Sequence, residues 1–150
     1  MLVARLLVVG PLVVALLGGG AARAQLPAPP GMSLAEAAAK RFPQPVRVGD
    51  LLGRQVLRPL ESQPTLGWVD SVVRQKDGTI DVIVDYGGRF RFLNRPIAVP
   101  VDAMVLLGQY MEIVDFTPKQ LSQFKTFHKE DGVALPPDSI IRVGLARPSH

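Results

Sequence analysis

The sequence has no cysteine, one tryptophan and two histidines among its 150 residues. Without cysteine there is no disulfide, no thiolate nucleophile, no cysteine-bound metal and no lipid-modified cysteine. Such a composition is unusual for an exported animal protein but ordinary for a bacterial periplasmic domain. The hydrophobic core alone can stabilise a domain of this size. Charged residues make up 20% and hydrophobic residues 47% of the chain, which favours one packed domain over a disordered chain.

The first 24 residues have the pattern of a cleavable secretory signal. Residues 1–5 carry one positive charge, residues 6–17 form an apolar run, and Ala22 and Ala24 are the small residues that a signal peptidase reads. We expect cleavage after Ala24, which places the mature protein in the periplasm or outside the cell. The apolar run is shorter than the roughly 20 residues of a spanning helix. An uncleaved anchor is the alternative, and only then would the protein contact the membrane.

The charge balance gives no support for a polyanionic partner. The chain has 17 Lys and Arg against 13 Asp and Glu, a formal charge of +4. Loss of the signal segment removes Arg5 and Arg23, which leaves 15 basic and 13 acidic residues. A balance this even argues against binding to nucleic acid or to an anionic membrane.

The rest of the chain divides into segments with different residue patterns. Ser33 with Glu36, and Thr117 with Gln120, have capping-box spacing and predict two short helices, the first over residues 35–41. Between them lie short β-rich runs separated by Gly, Pro and Asp-Gly. We expect a Pro-rich linker with a short helix over 25–45, a β domain over 46–116, a short helix over 117–125, and a flexible tail with at most one added strand over 126–150.

The Asp77-Gly78 pair predicts a two-residue hairpin turn. The expected cross-strand pairs are Val73 with Val82, Ser71 with Val84, Val72 with Ile83, Arg74 with Asp81, and Asp70 with Asp85. A following three-residue turn over 86–88 would pair Val84 with Phe90 and Val82 with Phe92. A two-residue turn there would mix core and solvent positions, because a one-residue slip turns over every side chain.

These pairings predict one apolar inner face with charged residues between its members. The expected inner face is Val69, Val73, Val82, Val84, Phe90 and Phe92. A closing strand over residues 97–99 and a last hairpin at Gly108-Gln109 would complete a small sheet.

Several sequence motifs between residues 46 and 114 occur together at a specific spacing. They are Leu52-Gly53-Arg54-Gln55-Val56, Leu66-Gly67-Trp68-Val69, Asp77-Gly78, Val82-Ile83-Val84, Gly87-Gly88-Arg89-Phe90 and Ile97-Ala98-Val99-Pro100. In these motifs the chain resembles the PRC-barrel family of small SH3-like barrels. The resemblance implies a mainly β fold, a small antiparallel SH3-like (PRC) barrel with short flanking helices. It also implies structural roles for Gly53, Gly67, Asp77, Gly78, Gly87, Gly88 and Pro100.

The same resemblance implies a function as well as a fold. PRC-barrels serve as scaffold or docking modules without enzymatic activity or a cofactor of their own. For an exported chain, the expected partner is another protein of the cell envelope. The well-studied relatives act in the cytoplasm, so their photosynthetic and ribosomal roles do not carry over to an exported chain.

Three apolar side chains, Trp68, Val72 and Ile83, share the outer face of the expected sheet. Contiguous exposed apolar patches are usually either covered or used for binding. One of the two predicted helices could lie across them, since each needs a place to bury its apolar side. Alternatively, the three residues form a partner site with Trp68 as its anchor.

Charged and titratable residues offer weaker candidates. Asp70 and Asp85 would face each other and could hold a cation, although Arg89 opposite Asp85 makes a solvated charge ladder the simpler interpretation. His128 and His150 lie in the expected tail without acidic residues at metal-ligand spacing. The basic cluster Arg89, Arg91 and Arg95 is not expected to bind nucleic acid, because Phe90 and Phe92 between its members face inward.

Overall fold

The computed structural model describes residues 31–58, 62–87 and 93–146. The signal segment, its cleavage site, Gly88, residues 89–92 and His150 lie outside the described residues. Most of the regular structure is strand. The elements are α1 (Leu34–Ala39), β1 (Gln44–Arg47), α2 (Val48–Leu51), β2 (Gln55–Leu57), β3 (Thr65–Arg74), β4 (Ile80–Tyr86), β5 (Arg95–Pro100), a 3₁₀ turn (Val101–Ala103), β6 (Met104–Leu107), β7 (Tyr110–Ile113), α3 (Pro118–Ser122), a 3₁₀ turn (Lys129–Asp131), β8 (Val133–Ala134) and β9 (Ile140–Leu145).

Both predicted capping boxes are present and start the two helices. The Ser33 hydroxyl accepts a hydrogen bond from the Glu36 N–H, and the Glu36 carboxylate accepts one from the Ser33 N–H. Thr117 and Gln120 make the same reciprocal pair at α3. Each helix ends about two residues earlier than expected. The residue after each helix donates to carbonyls two and three positions back, which tightens and ends the last turn.

The described strands form one open, mixed sheet, and the prediction of a mainly β fold is confirmed. Its strand order is β1-β9-β6-β7-β2-β3-β4-β5, and β8 pairs with β3 outside this path. The contacts β2·β7 and β6·β9 are parallel and the others antiparallel. The chain beyond residue 116 returns to the sheet as β9, which lies between β1 and β6 and makes the parallel contact with β6.

The turn at Asp77-Gly78 exists, but its loop has three residues instead of two. The Gln75 N–H donates to the Thr79 carbonyl at 2.8 Å, and the Gly78 N–H donates to the Gln75 carbonyl at 2.9 Å. Gly78 has φ of 86°, the left-handed position of a type I turn followed by a glycine bulge. The Asp77 carboxylate accepts hydrogen bonds from the Thr79 N–H and hydroxyl, which stabilises this longer loop.

The longer loop shifts the register of the hairpin by one residue as far as Ser71, and a bulge at Asp70 shifts it by a second residue beyond that point. Val72 opposes Val82 and, beyond a bulge at Asp70, Val69 opposes Val84. These four valines belong to the main hydrophobic core. The expectation that Val72 lies on the outer face is therefore wrong. Asp70 is the extra residue of the bulge and has no partner in β4.

Four further pairings from the sequence are also wrong. Val73, expected on the inner face, opposes Asp81 on the outer face, and Arg74 opposes Ile80 instead of Asp81. The pairs Val84–Ile97 and Val82–Val99 replace the expected Val84–Phe90 and Val82–Phe92. Phe90 and Phe92 lie outside the described residues. The closing strand over residues 97–99 and the Gly108-Gln109 hairpin are confirmed.

The segment expected to be a flexible tail is part of the packed sheet. β9 pairs with β1 and β6, and its Ile141 and Val143 belong to the main core. From α3, Leu121 enters the same core and is fully buried. A flexible tail is therefore wrong for residues 126–146, and the fold draws on both flanks of the span 46–116.

Candidate functional site

Trp68 and Ile83 lie on the outer face of β3–β5, as expected. Trp68 opposes Asp85, and Ile83 opposes Ser71 and, across the other edge of β4, Ala98. Trp68 is half-buried, whereas Ile83 is only 1% exposed. Since Val72 faces the core, the three residues proposed from the sequence do not form one exposed patch.

An extended segment covers this half of the outer face. Thr126 pairs with Ile97 beyond the edge of β5, and Val133 pairs with Arg74 beyond the opposite edge of β3. The residues between them must therefore cross the three strands, and Gly132 lies directly against the Val73 side chain. The expectation that a helix covers this face is wrong. We name this region, residues 126–134 on β3–β5, the closed face.

The other candidates from the sequence do not converge. Asp85 opposes Trp68 and not Asp70, while the Asp70 carboxylate accepts a hydrogen bond from the Ser71 hydroxyl at 3.2 Å. The two carboxylates therefore do not form the cation site considered from the sequence. Within residues 31–58, 62–87 and 93–146, no group of three or more His, Asp or Glu side chains could hold a metal ion. His128 is exposed, and its backbone N–H donates to the Asp131 carboxylate.

The second half of the outer face lies under α1, and it is not closed. Here Gly144, Val105, Glu112 and Leu57 stand side by side on β9, β6, β7 and β2. The buried residue of α1 is Ala37, whose methyl group is too short to fill the space between helix and sheet. A pocket of about 430 Å³ remains there. Its lining residues are Met32, Ala37, Lys40, Arg41, Val105, Glu112, Val114, Leu145 and Ala146. We name this region the α1 pocket.

Glu112 is the buried charged residue of the described part of the chain, with 7% exposure. Its Oε1 accepts a hydrogen bond from the Gln63 amide at 3.2 Å. No described cation lies within ion-pair distance of it. One signal was present in the sequence, since Glu112 lies between the core residues Met111 and Ile113 and so points outward. An outward-facing Glu on a strand is ordinarily solvated, and its burial depends on the distant α1.

Arg41 forms the buried ion pair that fixes the end of α1 to the sheet. Its guanidinium donates two parallel hydrogen bonds to the Asp115 carboxylate, at 2.7 and 2.6 Å. A third bond reaches the Asp102 carbonyl at 3.1 Å. The Asp115 side chain is 5% exposed. This bidentate geometry is strong and directional, so Arg41 holds the pocket wall and is not available to Glu112.

Phe42, directly after this ion pair, is both strained and exposed. Its φ is 52°, a left-handed conformation that bulky residues rarely adopt, and it precedes Pro43, which restricts it further. The ring is 69% exposed. On either side, the Arg41 carbonyl accepts from the Leu145 N–H and the Pro43 carbonyl accepts from the Arg142 guanidinium. The backbone thus holds an aromatic ring in solvent beside the α1 pocket.

In comparisons with known proteins, no family model matches this chain, and no curated protein matches it. None of the described helices is both long and apolar enough to cross a membrane. The function of the chain therefore has to be inferred from its surfaces and its pocket.

Proposed function

We propose that this chain is a non-enzymatic docking module of the bacterial cell envelope, built on a scaffold of the PRC-barrel, SH3-like type. The signal pattern of residues 1–24 supports export. The motifs that carry the family resemblance fall mainly on consecutive strands, β2, β3, β4 and β5, which supports the scaffold. The partner is another protein of the envelope.

The observation that carries this proposal is the exposure of the Phe42 ring on a left-handed backbone. A left-handed conformation costs a non-glycine residue about 1–2 kcal/mol, and an exposed ring recovers none of that cost by packing. Leu145, 39% exposed, lies beside it. A partner that covers both side chains would bury a large apolar area around an aromatic anchor, the arrangement typical of interface hot spots. We name Phe42, Leu145 and the mouth of the α1 pocket the docking surface.

One edge of the sheet, β1, is poorly suited to binding a partner strand. The Val48 N–H donates to the carbonyl of Ser139, which directly precedes β9. In the antiparallel pairing with β9, the backbone groups of Gln44 and Val46 point toward β9 in the same way, so those of Pro45 point to the free side of the strand. Proline has no N–H, and its place on the free side of an edge strand blocks strand addition.

The other edge, β5, is protected in the same way. The Pro96 carbonyl accepts a hydrogen bond from the Phe127 N–H at 2.7 Å, so Pro96 faces away from β4. The backbone of Pro100 has the same orientation, because residues at even spacing along a strand point their backbone groups to the same side. Neither proline offers a donor to an incoming strand. A partner is therefore expected to bind through side chains of the docking surface and not by adding a strand.

The test compares two exposed apolar residues at different places on the molecule. Phe42→Asn removes the ring, and asparagine tolerates a left-handed backbone. Val133→Asn is the matched control, because Val133 is 71% exposed on the closed face. We expect recovery of a co-purifying protein from an envelope extract to fall at least tenfold for Phe42→Asn and to be unchanged for Val133→Asn. Full recovery with a folded Phe42→Asn protein would exclude this surface.

A further inference from the structure

The Glu112 carboxylate is buried among apolar neighbours without a positive charge of its own. Its cross-strand neighbours are Val105 and Leu57. The single hydrogen bond it accepts from a described residue comes from the neutral Gln63 amide. An ionised carboxylate can accept about four hydrogen bonds, and a buried charge is costly unless a counter-ion and donors compensate it. Glu112 therefore has unused capacity for a cationic donor.

The described cations nearest the pocket do not supply that donor. Arg41 is bound to Asp115 and to the Asp102 carbonyl. Lys40 lines the pocket but is exposed, and it makes no ion pair with any residue in the described ranges. The positive charge that Glu112 lacks has to come from elsewhere.

The remaining pocket walls select for an apolar stem next to that charge. They are Met32, Ala37, Val105, Val114, Leu145 and Ala146. The volume of about 430 Å³ lies within the range of roughly 300–1,000 Å³ seen for small-molecule sites. Mostly apolar walls with a few convergent polar groups are the usual composition of such sites. Here the polar groups are Glu112, the exposed Lys40, and Arg41, whose charge is already paired with Asp115.

We propose that the α1 pocket binds an organic cation, an ammonium or guanidinium group on a short apolar stem, with Glu112 as its counter-ion. The stem replaces water along the apolar walls, and the cation donates to Glu112. Anions and neutral alcohols of the same size lack this attraction. The cation is either a free amine or a basic side chain of the docked protein. Occupancy by a free amine does not depend on the docking function of Phe42.

The test uses four probes of matched size on the purified protein. We expect n-butylamine and n-butylguanidinium to cause saturable amide shifts at Val105, Glu112 and Leu145 in NMR spectra, and n-butanol and butyrate to bind at least tenfold more weakly. Glu112→Gln keeps the shape of the side chain and removes its charge, so it should weaken amine binding at least tenfold. Glu130→Gln, an exposed residue on the closed face, is the matched control and should leave binding unchanged.

Three results would overturn the proposal. The first is equal binding of n-butanol and n-butylamine, and the second is equal amine affinity in Glu112→Gln. The third is amine binding that appears only in Lys40→Met, because a cation of the chain itself would then occupy the site.

A competition experiment identifies the natural source of the cation. If n-butylamine displaces the co-purifying protein, that protein supplies a basic side chain to the pocket. If the protein stays bound while the amine saturates the pocket, the ligand is a free amine. If the amine does not bind but the protein still docks, only this inference fails. If the amine binds but no protein docks, only the docking proposal fails.

Discussion

The closed face and the α1 pocket are two halves of one sheet surface that the chain covers in different ways. Over β3–β5 the cover is an extended segment, and Ile83 beneath it is 1% exposed. In the other half the short helix α1 lies against β9 and over Val105 and Glu112, and a pocket of about 430 Å³ remains beneath it. The first half buries apolar residues alone, whereas the second leaves the Glu112 carboxylate at the pocket.

The difference follows from the chemistry of the two covering segments. The extended segment bonds to the sheet through its backbone, with the Phe127 N–H donating to Pro96 and the Leu135 N–H donating to Val72. The two ends of the segment are therefore held at strand distance from the edges of the sheet. A helix bonds internally and stands farther from a sheet, so that side chains must fill the gap. The sequence of α1 is Leu-Ala-Glu-Ala-Ala-Ala, which supplies mostly methyl groups.

The largest expected effect comes from removing the ion pair that holds α1 over its half of the sheet. Asp115→Ala leaves the Arg41 guanidinium without its carboxylate, and breaking a buried pair in this way costs about 3 kcal/mol. Urea denaturation should show this loss. The exposed Asp138→Ala should change the free energy of unfolding by less than about 0.5 kcal/mol. Equal small losses in both variants would show that the pair does not hold the cover.

A matched pair of valines tests the comparison directly. Val73 under the closed face and Val105 beside the pocket are each 2% exposed. Val73→Ala should cost about 2.5 kcal/mol, because a new cavity adds to the lost transfer free energy. Val105→Ala should cost about 1.5 kcal/mol, since it only enlarges an existing space. Chemical denaturation of both variants measures the difference. Equal losses would mean that the two covers are equally tight, and the reverse order would mean that the chain packs more tightly beside the pocket.

Phe42→Gly should make the protein more stable, by about 1 kcal/mol. Glycine adopts the left-handed conformation without the steric cost that a phenylalanine carries. Val133→Gly, at an exposed strand position of the closed face, should instead lower stability. Thermal unfolding monitored by circular dichroism distinguishes the two directions. A destabilised Phe42→Gly would mean that the ring packs on the protein and is not displayed for a partner.

The smallest expected effect is a pH dependence of α1. The hydrogen bond from the Ser33 backbone N–H, followed by that of its hydroxyl, holds the pKa of Glu36 below its usual value. The capping box therefore contributes its full stabilisation above the usual carboxyl pKa and loses it as the pH falls through the lowered folded value. The protection factor of the Ala37 amide, which is the exchange rate of an unfolded chain at the same pH divided by the observed rate, should fall on acidification across that window. In Glu36→Gln this pH dependence should be absent.

Local features of the fold were predictable because a few adjacent residues decide them. The capping boxes at Ser33 and Thr117 and the Gly108-Gln109 hairpin needed no distant contact. The position of the Asp77-Gly78 turn was equally local, but its length was not. Both a two-residue and a three-residue loop accept glycine at a left-handed position, and the packing of Val72 against the core favours the longer one.

The two covers of the sheet were not predictable, because they depend on contacts between distant parts of the chain. Arg41 and Asp115 are 74 positions apart. The burial of Glu112 follows from α1, and that of Ile83 from residues 126–134. Hydrophobic periodicity cannot report such contacts, since it shows which side of a strand is apolar and not what lies against the other side.

By itself, the sequence determined the β-rich composition, the helix starts and the places of the turns, because backbone preferences and short-range hydrogen bonds act within a few residues. Only the tertiary structure decided the register of the central hairpin, the return of the last strand to the sheet, and the space left beside one buried carboxylate. Those features depend on packing between segments that are far apart in the chain, so no single segment carries that information.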